Sequence, residues 1–261
     1  MAWEVFKDGL ESDRRLSATI GVFDGLHLGH QELIRRVVAK APILSPAVFT
    51  FRENPKRILR PDNFDGDLLS LGRKLELFES LGVEVVVLID FSGDFSKMPG
   101  RNFLSTVVDR GRIAHMAIGW DFHCGRGRDT DARKLMDFCK SRDVDVELLD
   151  PVAFHGDAAS STRIRRAIRA GRLHDAEKLL GRPCEVELGA ARGGEGETWR
   201  FAVREGMVLP PIGSWPVVGR EGEAWLRIGT DVLEVQGMRK SEIDGRLPIT
   251  TLDKKEAIDK E

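Results

Sequence analysis

Two histidines stand three residues apart where a predicted strand gives way to a predicted helix. The segment is TIGVFDGLHLGHQELIRR, in which His27 and His30 flank the expected helix start near Gly29. A helix start presents free backbone N–H groups and the positive end of the helix dipole, so it binds anions well. Gly21, Gly25 and Gly29 allow a ligand to approach the backbone closely. The pattern predicts that both imidazoles and the helix start hold a phosphate.

Other interpretations of this histidine pair are a capping or core role and a metal site. The segment contains neither the GxxxxGK[ST] pattern nor the GxGxxG pattern of other phosphate-binding loops. A metal pair lacks a third Cys, Asp or Glu ligand at a fixed nearby spacing. We therefore favour phosphate binding.

A second helix start lies in the stretch DAASSTRIRRAIRAGR, residues 157–172. Its Ser/Thr cluster supplies capping hydroxyls and unsatisfied amides. This cluster is Ser160, Ser161 and Thr162, and Arg165 follows one turn into the helix, within reach of an anion held by the cluster. The remaining arginines of the helix, Arg166, Arg169 and Arg172, are expected on a solvated face. Two phosphate-binding helix starts are what nucleotidyl transfer to a phosphate acceptor requires.

Strands alternate with helices over residues 17–180 and must position these motifs. Apolar runs predict strands over Ala18–Val22, Ala47–Phe51, Val83–Ile89, Ile113–Gly119 and Val144–Leu149. Helical spacing predicts helices over Gln31–Ala41, Leu71–Leu81, Arg101–Asp109 and Ala132–Ser141. The alternation predicts an α/β fold with a parallel sheet, whose ligands gather at the carboxyl ends of the strands.

The pattern of apolar and polar residues changes after Pro183. Residues 184–235 hold short alternating runs between Gly- and Pro-containing breaks, with a hairpin loop expected over residues 193–196. We expect two domains, an α/β domain over residues 1–183 and a small antiparallel β domain over residues 184–261. Residues 253–261 are highly charged and are expected to form an exposed tail or a last helix.

The composition of the chain bears on which partners and which cellular compartment we expect. The 261 residues include 40 Lys and Arg against 42 Asp and Glu, so no net positive charge favours nucleic acid. The longest pure aliphatic run, Val85–Ile89, is too short for a membrane span. The N-terminus lacks an apolar signal core, and the three scattered cysteines lack zinc spacing. We expect a cytoplasmic protein; its composition implies no particular oligomeric state.

These motifs resemble those of a known family. GVFDGLHLGH resembles the HxGH signature of the nucleotidylyltransferase superfamily, and SSTRIR resembles its ISSTxIR partner motif, with Ala159 in place of the leading Ile. Further segments at 48–51, 83–104, 118–129 and 170–186 are similar to prokaryotic FAD synthetase, the adenylyltransferase module of bifunctional riboflavin kinase/FMN adenylyltransferase. The resemblance runs through roughly residues 15–188.

The resemblance implies a Rossmann-like domain that binds MgATP and FMN and releases pyrophosphate and FAD. It implies that His27 and His30 contact the ATP phosphates and that Gly21, Phe23, Asp24 and Gly29 form the turn beside the nucleotide. It implies that the triphosphate is gripped by Ser161, Thr162 and Arg165. The adenine and flavin wall is expected to include Gly119, Asp121 and Phe122.

Two departures from the family pattern lie on the flavin side. Where the family has Phe-x-Pro-His-Pro, in a loop that the resemblance implies helps to cover the flavin, this chain has Phe51–Pro55 with Asn54 in place of the His. We still expect Asn54 to belong to the cofactor-binding site. An aromatic position of the later Gly-x-Asp-Phe element is Cys124. These two departures motivate two alternatives: adenylyl transfer to another phosphate-bearing small molecule, or a non-catalytic nucleotide- or flavin-binding protein.

The C-terminal region departs further from the family. It lacks the Pro-Thr-Ala-Asn motif that the resemblance associates with riboflavin kinase. We therefore expect either a shortened, degenerate kinase-like barrel without kinase activity or an unrelated β module.

Overall fold

The computed structural model describes residues 2–6, 15–154, 156–218 and 223–249. The charged segment 253–261 lies outside these ranges. The chain divides into two compact units, and the first comprises Met1–Phe64 with Leu71–Ala159. The second unit comprises Asp65–Ser70 with Ser160–Glu261.

A six-stranded, wholly parallel sheet forms the centre of the first unit, in the order β1-β4-β3-β2-β5-β8. Its strands are β1 (Ala2–Phe6), β2 (Leu16–Ile20), β3 (Ser45–Phe51), β4 (Val85–Ile89), β5 (Ile113–Gly119) and β8 (Asp145–Leu149). Residues of the inner strands are almost all buried, as their continuous apolar runs require of strands covered on both faces. The predicted strands are present, and β1 is an edge strand that the sequence analysis did not anticipate.

In the part of the first unit that the structure describes, five α-helices connect these strands: α1 (Leu28–Val38), α2 (Pro55–Leu59), α3 (Leu71–Ser80), α4 (Gly100–Arg110) and α5 (Ala132–Lys140). Two short antiparallel pairs complete the unit: β6 (His123–Cys124) with β7 (Thr130–Asp131), and β9 (Ala153–Phe154) with β10 (Asp157–Ala158). The core lies between the sheet and the apolar faces of α4 and α5, where Phe49, Val107 and Leu135 are fully buried.

Polar contacts fix the C-terminal end of α1 to the sheet. Ser17 Oγ donates a hydrogen bond to Val37 O (3.0 Å) and lies 2.8 Å from His115 Nδ1. His115 Nε2 lies 3.3 Å from a carboxylate oxygen of Glu147 on the edge strand β8, outside hydrogen-bond geometry. Lys40, just beyond α1, also reaches Glu147 (3.1 Å). The far end of the histidine-bearing helix is therefore anchored through β2, β5 and β8.

The second unit begins with α6 (Ser161–Arg169) and α7 (Leu173–Leu180), and α7 ends at Gly181 in the left-handed conformation. An antiparallel barrel follows, closed in the order β11-β12-β15-β14-β13-β16. Its strands are β11 (Cys184–Glu195), β12 (Thr198–Val203), β13 (Gly213–Val218), β14 (Glu223–Ile228), β15 (Val232–Gln236) and β16 (Arg246–Ile249). The predicted class, an α/β domain followed by a small β domain, is confirmed.

The β11–β12 hairpin turns later than expected. Residues 193–195 pair with residues 198–200 and belong to the strand, so the turn itself is Gly196–Glu197. The expected loop over residues 193–196 is therefore wrong by three residues, because two register shifts let the glycine-rich strand continue pairing.

Apolar side chains occupy alternate, buried positions on the strands of this barrel. These buried residues include Val186, Leu188, Phe201, Val217, Leu226, Leu233, Val235, Leu247 and Ile249. Alternation in a closed barrel places one set of side chains inside. The barrel interior is therefore a packed apolar core.

Asp65–Ser70 contributes a short stretch of backbone to the second unit. Asp67 N donates to Gly206 O (2.8 Å), and Val208 N donates to Asp67 O (2.9 Å). Ser70 N donates to the buried carboxylate of Glu187 (2.7 Å). Within the described ranges, no helix is both long and apolar enough to cross a bilayer.

Candidate active site

The histidine motif occupies the turn between β2 and α1. His27 is the N-cap of α1, and its ring accepts a hydrogen bond at Nδ1 from the backbone N of His30 (3.4 Å). The capping role that we considered as an alternative for these histidines is therefore present at His27. The helix begins at Leu28, one residue before the expected Gly29. A Cβ at Gly29 would lie 3.3 Å from the His27 ring, so glycine leaves room for that ring.

The two imidazoles stack on each other. Their centroids lie 3.6 Å apart with planes 18° from parallel. The Phe23 ring meets His30 edge-on at 5.1 Å and packs against Phe78 of α3 at 5.6 Å. Phe23 itself has a φ of +52°, a left-handed conformation that costs a non-glycine residue energy and often marks functional turns. A Cβ at Gly21 would lie 3.3 Å from the Phe23 ring, and the neighbouring Asp24 is buried.

His30 lies in an unusual electrostatic setting. Burial and the nearby positive charges of His27 and Lys74 hold the pKa of His30 well below its ordinary value of 6.5. Its Nδ1 atom is buried and makes no hydrogen bond with any residue that the structure describes. A buried polar atom without a partner is costly. An anion at the start of α1 would both supply that partner and offset the surrounding positive charge.

Lys74 is a site residue that the sequence analysis missed. It lies on the inner face of α3, is buried, and donates from Nζ to Val22 O (3.0 Å). Thr50 Oγ1 of β3 donates to the same carbonyl (3.2 Å). In the sequence, the feature that could have indicated the burial of Lys74 is its position four residues before Phe78, on the apolar side of the helix.

Asn54 follows β3 and is buried. Its side chain caps α2 by accepting a hydrogen bond from Lys56 N (3.2 Å), and Pro55 occupies the first helical position. Asn and Pro are preferred at these two positions. Asn54 therefore has a local structural role, and its contact with flavin stays a prediction.

The segment expected to form the adenine and flavin wall follows β5. Phe122 N donates to Gly119 O (3.0 Å), which closes a turn, and a Cβ on Gly119 would lie 3.1 Å from Asp121 Oδ1. Phe122 and Cys124 pack against the hydrophobic core. Burial raises the pKa of the Cys124 thiol to about 12, so this cysteine stays protonated and serves as an apolar contact.

Three of the predicted site segments meet at one edge of the sheet. The histidine turn follows β2, the Asn54 loop follows β3, and Gly119 ends β5. These three parallel strands are neighbours, in the order β3-β2-β5. Their carboxyl ends lie on the same side, which is where ligands bind in open parallel sheets.

The second motif belongs to the other unit. Ser160 is the N-cap of α6, with its hydroxyl accepting from Arg163 N (3.4 Å), while Ser161 and Thr162 form the first helical turn. Arg165 is buried and donates from Nε to Gly66 O (2.8 Å). That Ser161, Thr162 and Arg165 join the histidine site stays a prediction.

Three arginines on and just after α6 are exposed, as expected: Arg166, Arg169 and Arg172. Arg169 holds the carboxylate of Asp65 (3.2 Å), and Arg172 lies 3.3 Å from Asp175. Among the described residues, no three His, Cys, Asp or Glu side chains are grouped so as to hold a metal ion.

A helix start with two histidines at the carboxyl edge of a parallel sheet is the arrangement of a Rossmann-like nucleotidyltransferase. A family model described as FAD synthetase matches residues 10–163. The chain belongs to the FAD synthetase family.

Individual relatives agree with this membership. The chain is 31% identical over 217 residues to a bifunctional riboflavin kinase/FMN adenylyltransferase of Listeria monocytogenes, covering 79% of this chain and 69% of that protein. It is 27% identical over 208 residues to a FAD synthetase of the same organism, covering 78% and 82% respectively. A crystal structure described as a macrolide-efflux protein from Streptococcus pneumoniae is similar with a TM-score of 0.80 and 26% identity, over 97% of this chain and 90% of that one.

Proposed function

We propose that this protein is an FMN adenylyltransferase, which transfers AMP from MgATP to FMN and releases pyrophosphate. A phosphate oxygen of FMN forms a bond to the α-phosphorus of ATP. The bond from that phosphorus to the bridging oxygen of the β-phosphate breaks, and pyrophosphate leaves. The observation that carries the proposal is the stacked His27–His30 pair at the start of α1, in a chain of this family. The buried Nδ1 of His30 has no hydrogen-bond partner among the residues that the structure describes.

The protein supplies positioning and charge stabilisation for this reaction rather than a nucleophile. The free N–H groups at the start of α1 and the two imidazoles face the phosphates, and uncharged His30 donates an N–H. The triphosphate is also bound by three residues of α6: Ser161, Thr162 and Arg165. Mg²⁺ arrives bound to the ATP phosphates as part of the substrate.

FMN lies beside the loops that follow β3 and β5. Gly119 and Asp121 shape the wall of that site, and Asn54 fixes the beginning of α2 beside it. Gly21, Asp24 and Gly29 keep the turn narrow around the nucleotide. Because the reaction consumes ATP and all three cysteines are free thiols, we place it in the cytoplasm.

The transfer chemistry belongs to residues 1–183 in this proposal, although α6 and α7 pack with the barrel. We assign residues 184–261 to a kinase-like domain that does not phosphorylate riboflavin, and its described strands, within residues 184–249, form the barrel. The packed interior of the barrel and the missing Pro-Thr-Ala-Asn motif support this assignment. The protein therefore accepts FMN and rejects riboflavin.

A second candidate is adenylyl transfer to a different phosphate-bearing small molecule. The observation in its favour is that Asn54 and Cys124, which replace family residues on the flavin side, are occupied by local capping and core packing.

The test is to incubate the purified protein with MgATP and either FMN, riboflavin or a panel of phosphorylated acceptors. We expect FAD from FMN, resolved by chromatography, and no product from riboflavin. FMN or FAD formed from riboflavin at a comparable rate contradicts the assignment of the barrel. Pyrophosphate release with another acceptor, but not with FMN, favours the second candidate.

A further inference from the structure

A buried lysine on α3 requires an explanation. The Lys74 side chain is 7% exposed, on the same helix face as the fully buried Phe78. Burying an ammonium group is costly unless it is paired and hydrogen-bonded. A helix that needed only an apolar contact at this position could use methionine or leucine. The lysine is therefore expected to do something that an apolar side chain cannot.

One contact of Lys74 is with the turn that carries the histidines. Its Nζ and the hydroxyl of Thr50 both donate to the carbonyl of Val22, at 3.0 and 3.2 Å. The next residue, Phe23, has a left-handed φ of +52° and places its ring edge against His30. Two elements, α3 and β3, thus hold the carbonyl that precedes the strained residue.

We propose, resting on the proposed adenylyl transfer, that Lys74 is a positioning residue for that reaction. Its ammonium group fixes the Val22 carbonyl, and hence Phe23, and places a positive charge beside His30. His30 is thereby held in the geometry and the uncharged state that the incoming polyphosphate meets.

Electrostatics agree with this geometry. Besides burial, the positive charges of two groups lower the pKa of His30: His27 at the N-cap of α1 and Lys74 on α3. The Phe23 ring, which also contacts His30, carries no charge. Removing the Lys74 charge while keeping the site buried raises the pKa of His30. His30 then becomes protonated at a higher pH than in the wild-type protein.

Three variants separate the two contributions of Lys74. Lys74→Met keeps the length and burial of the chain but loses the charge and the donor. Lys74→Gln keeps an N–H donor without the charge, and Lys74→Arg keeps both. Lys97→Met is the matched control, because Lys97 is exposed and its ion pair is with the nearby Asp94 (3.0 Å).

The first measurement is an NMR titration of the His30 ring, assigned with His30→Gln, on the full-length protein without substrates. We expect the His30 midpoint to move to higher pH in Lys74→Met and Lys74→Gln and to stay in place in Lys74→Arg and Lys97→Met. If Lys74→Met does not fold, Lys74→Gln decides the question. An unchanged His30 midpoint in the charge-free variants overturns the proposal.

The second measurement is the pH profile of kcat/KM for ATP in the FMN reaction. Because small displacements of a positioned group reduce rates by up to about 100-fold, we expect Lys74→Met to lose roughly ten- to 100-fold. Its acid limb moves to higher pH, and Lys74→Arg recovers most of the loss. Equal kcat/KM in Lys74→Met and Lys97→Met overturns the proposal. The NMR titration needs no turnover, so it tests the coupling between Lys74 and His30 even if the protein makes no FAD. Failure of the wild-type protein to form FAD refutes the proposed function alone.

Discussion

The ring of His30 stacks on the ring of His27 at a centroid distance of 3.6 Å, while the backbone N of His30 donates to Nδ1 of the same His27 ring. His27 is therefore both the cap of α1 and the surface on which His30 rests. Two imidazoles this close disfavour each other's protonation. An anion at the start of α1 relieves that repulsion, which links the local geometry to phosphate binding.

Removing the His30 imidazole tests its place in the reaction. His30→Ala is expected to retain the fold and to lose roughly 10²–10³-fold in kcat, the usual cost of removing one donor to developing charge. Steady-state FAD formation gives the rate, and circular dichroism checks the fold. Arg172→Ala, on the exposed face beyond α6, is the control. Turnover in His30→Ala within twofold of wild type would falsify the role of the histidine pair.

Stability is expected to depend on pH through buried histidines. Burial lowers the pKa of both His30 and His115 below 6.5. Nearby positive charges lower these pKa values further: His27 and Lys74 act on His30, and Lys40 acts on His115. The carboxylates of Glu147 and Asp145 act on the pKa of His115 in the opposite direction. The unfolded chain therefore binds protons that the folded chain does not, and stability declines as the pH falls below about 6.5.

Urea unfolding at pH 7.5 and pH 5.5 measures this dependence. The free energy of unfolding should be lower at pH 5.5, and His115→Gln should reduce the difference between the two values. A stability that is equal at both values, or that rises toward pH 5.5, contradicts the pKa directions.

Much of this site is predictable because it is local. The histidine turn, its helix and the strands β2, β3 and β5 follow from short-range patterns of apolar residues and glycines. Lys74 is different, because its burial depends on which helix packs over the turn, and residue type alone suggests an exposed lysine.

Two other features depend on distant parts of the chain. The place of Asp65–Ser70 in the second unit depends on Gly206, Val208 and Glu187, far along the chain. The cap of α4 comes from Asp129, which accepts from Gly100 N (3.0 Å) across 29 residues. Sequence spacing carries no signal for either contact.

Two glycines of the Gly125–Asp129 loop provide a matched pair. Gly125 has a φ of +80°, and a Cβ there would collide with Gly100 backbone and the Asp129 carboxylate that caps α4. Gly127 also has a positive φ, of +65°, but a Cβ there meets no atom within 4 Å among the described residues. Gly127→Ala should cost about 1 kcal/mol from backbone strain alone.

Gly125→Ala should cost clearly more, about 3 kcal/mol, because it adds loss of the cap to the same strain. Urea unfolding of both variants measures the difference. Equal destabilisation would show that Asp129 does not depend on the close approach of Gly125.

Asn54 is expected to affect both stability and the acceptor side. Asn54→Ala removes the cap of α2 and should cost about 1 kcal/mol of unfolding free energy, whereas Asn54→Asp keeps an accepting oxygen and should cost less. Because the loop follows β3 beside the site, KM for FMN should rise more than KM for ATP. An equal rise in both KM values, or none in either, contradicts the placement of FMN at this loop.

The fate of the α-phosphate of ATP distinguishes adenylyl transfer to FMN from other cleavage of ATP. The purified protein is incubated with FMN and MgATP labelled at either the α- or the γ-phosphate, and the products are separated by chromatography. The account predicts that the α-label appears in FAD and the γ-label in pyrophosphate, in equal amounts. Absence of the α-label from FAD, with ATP intact or cleaved to ADP, would contradict it.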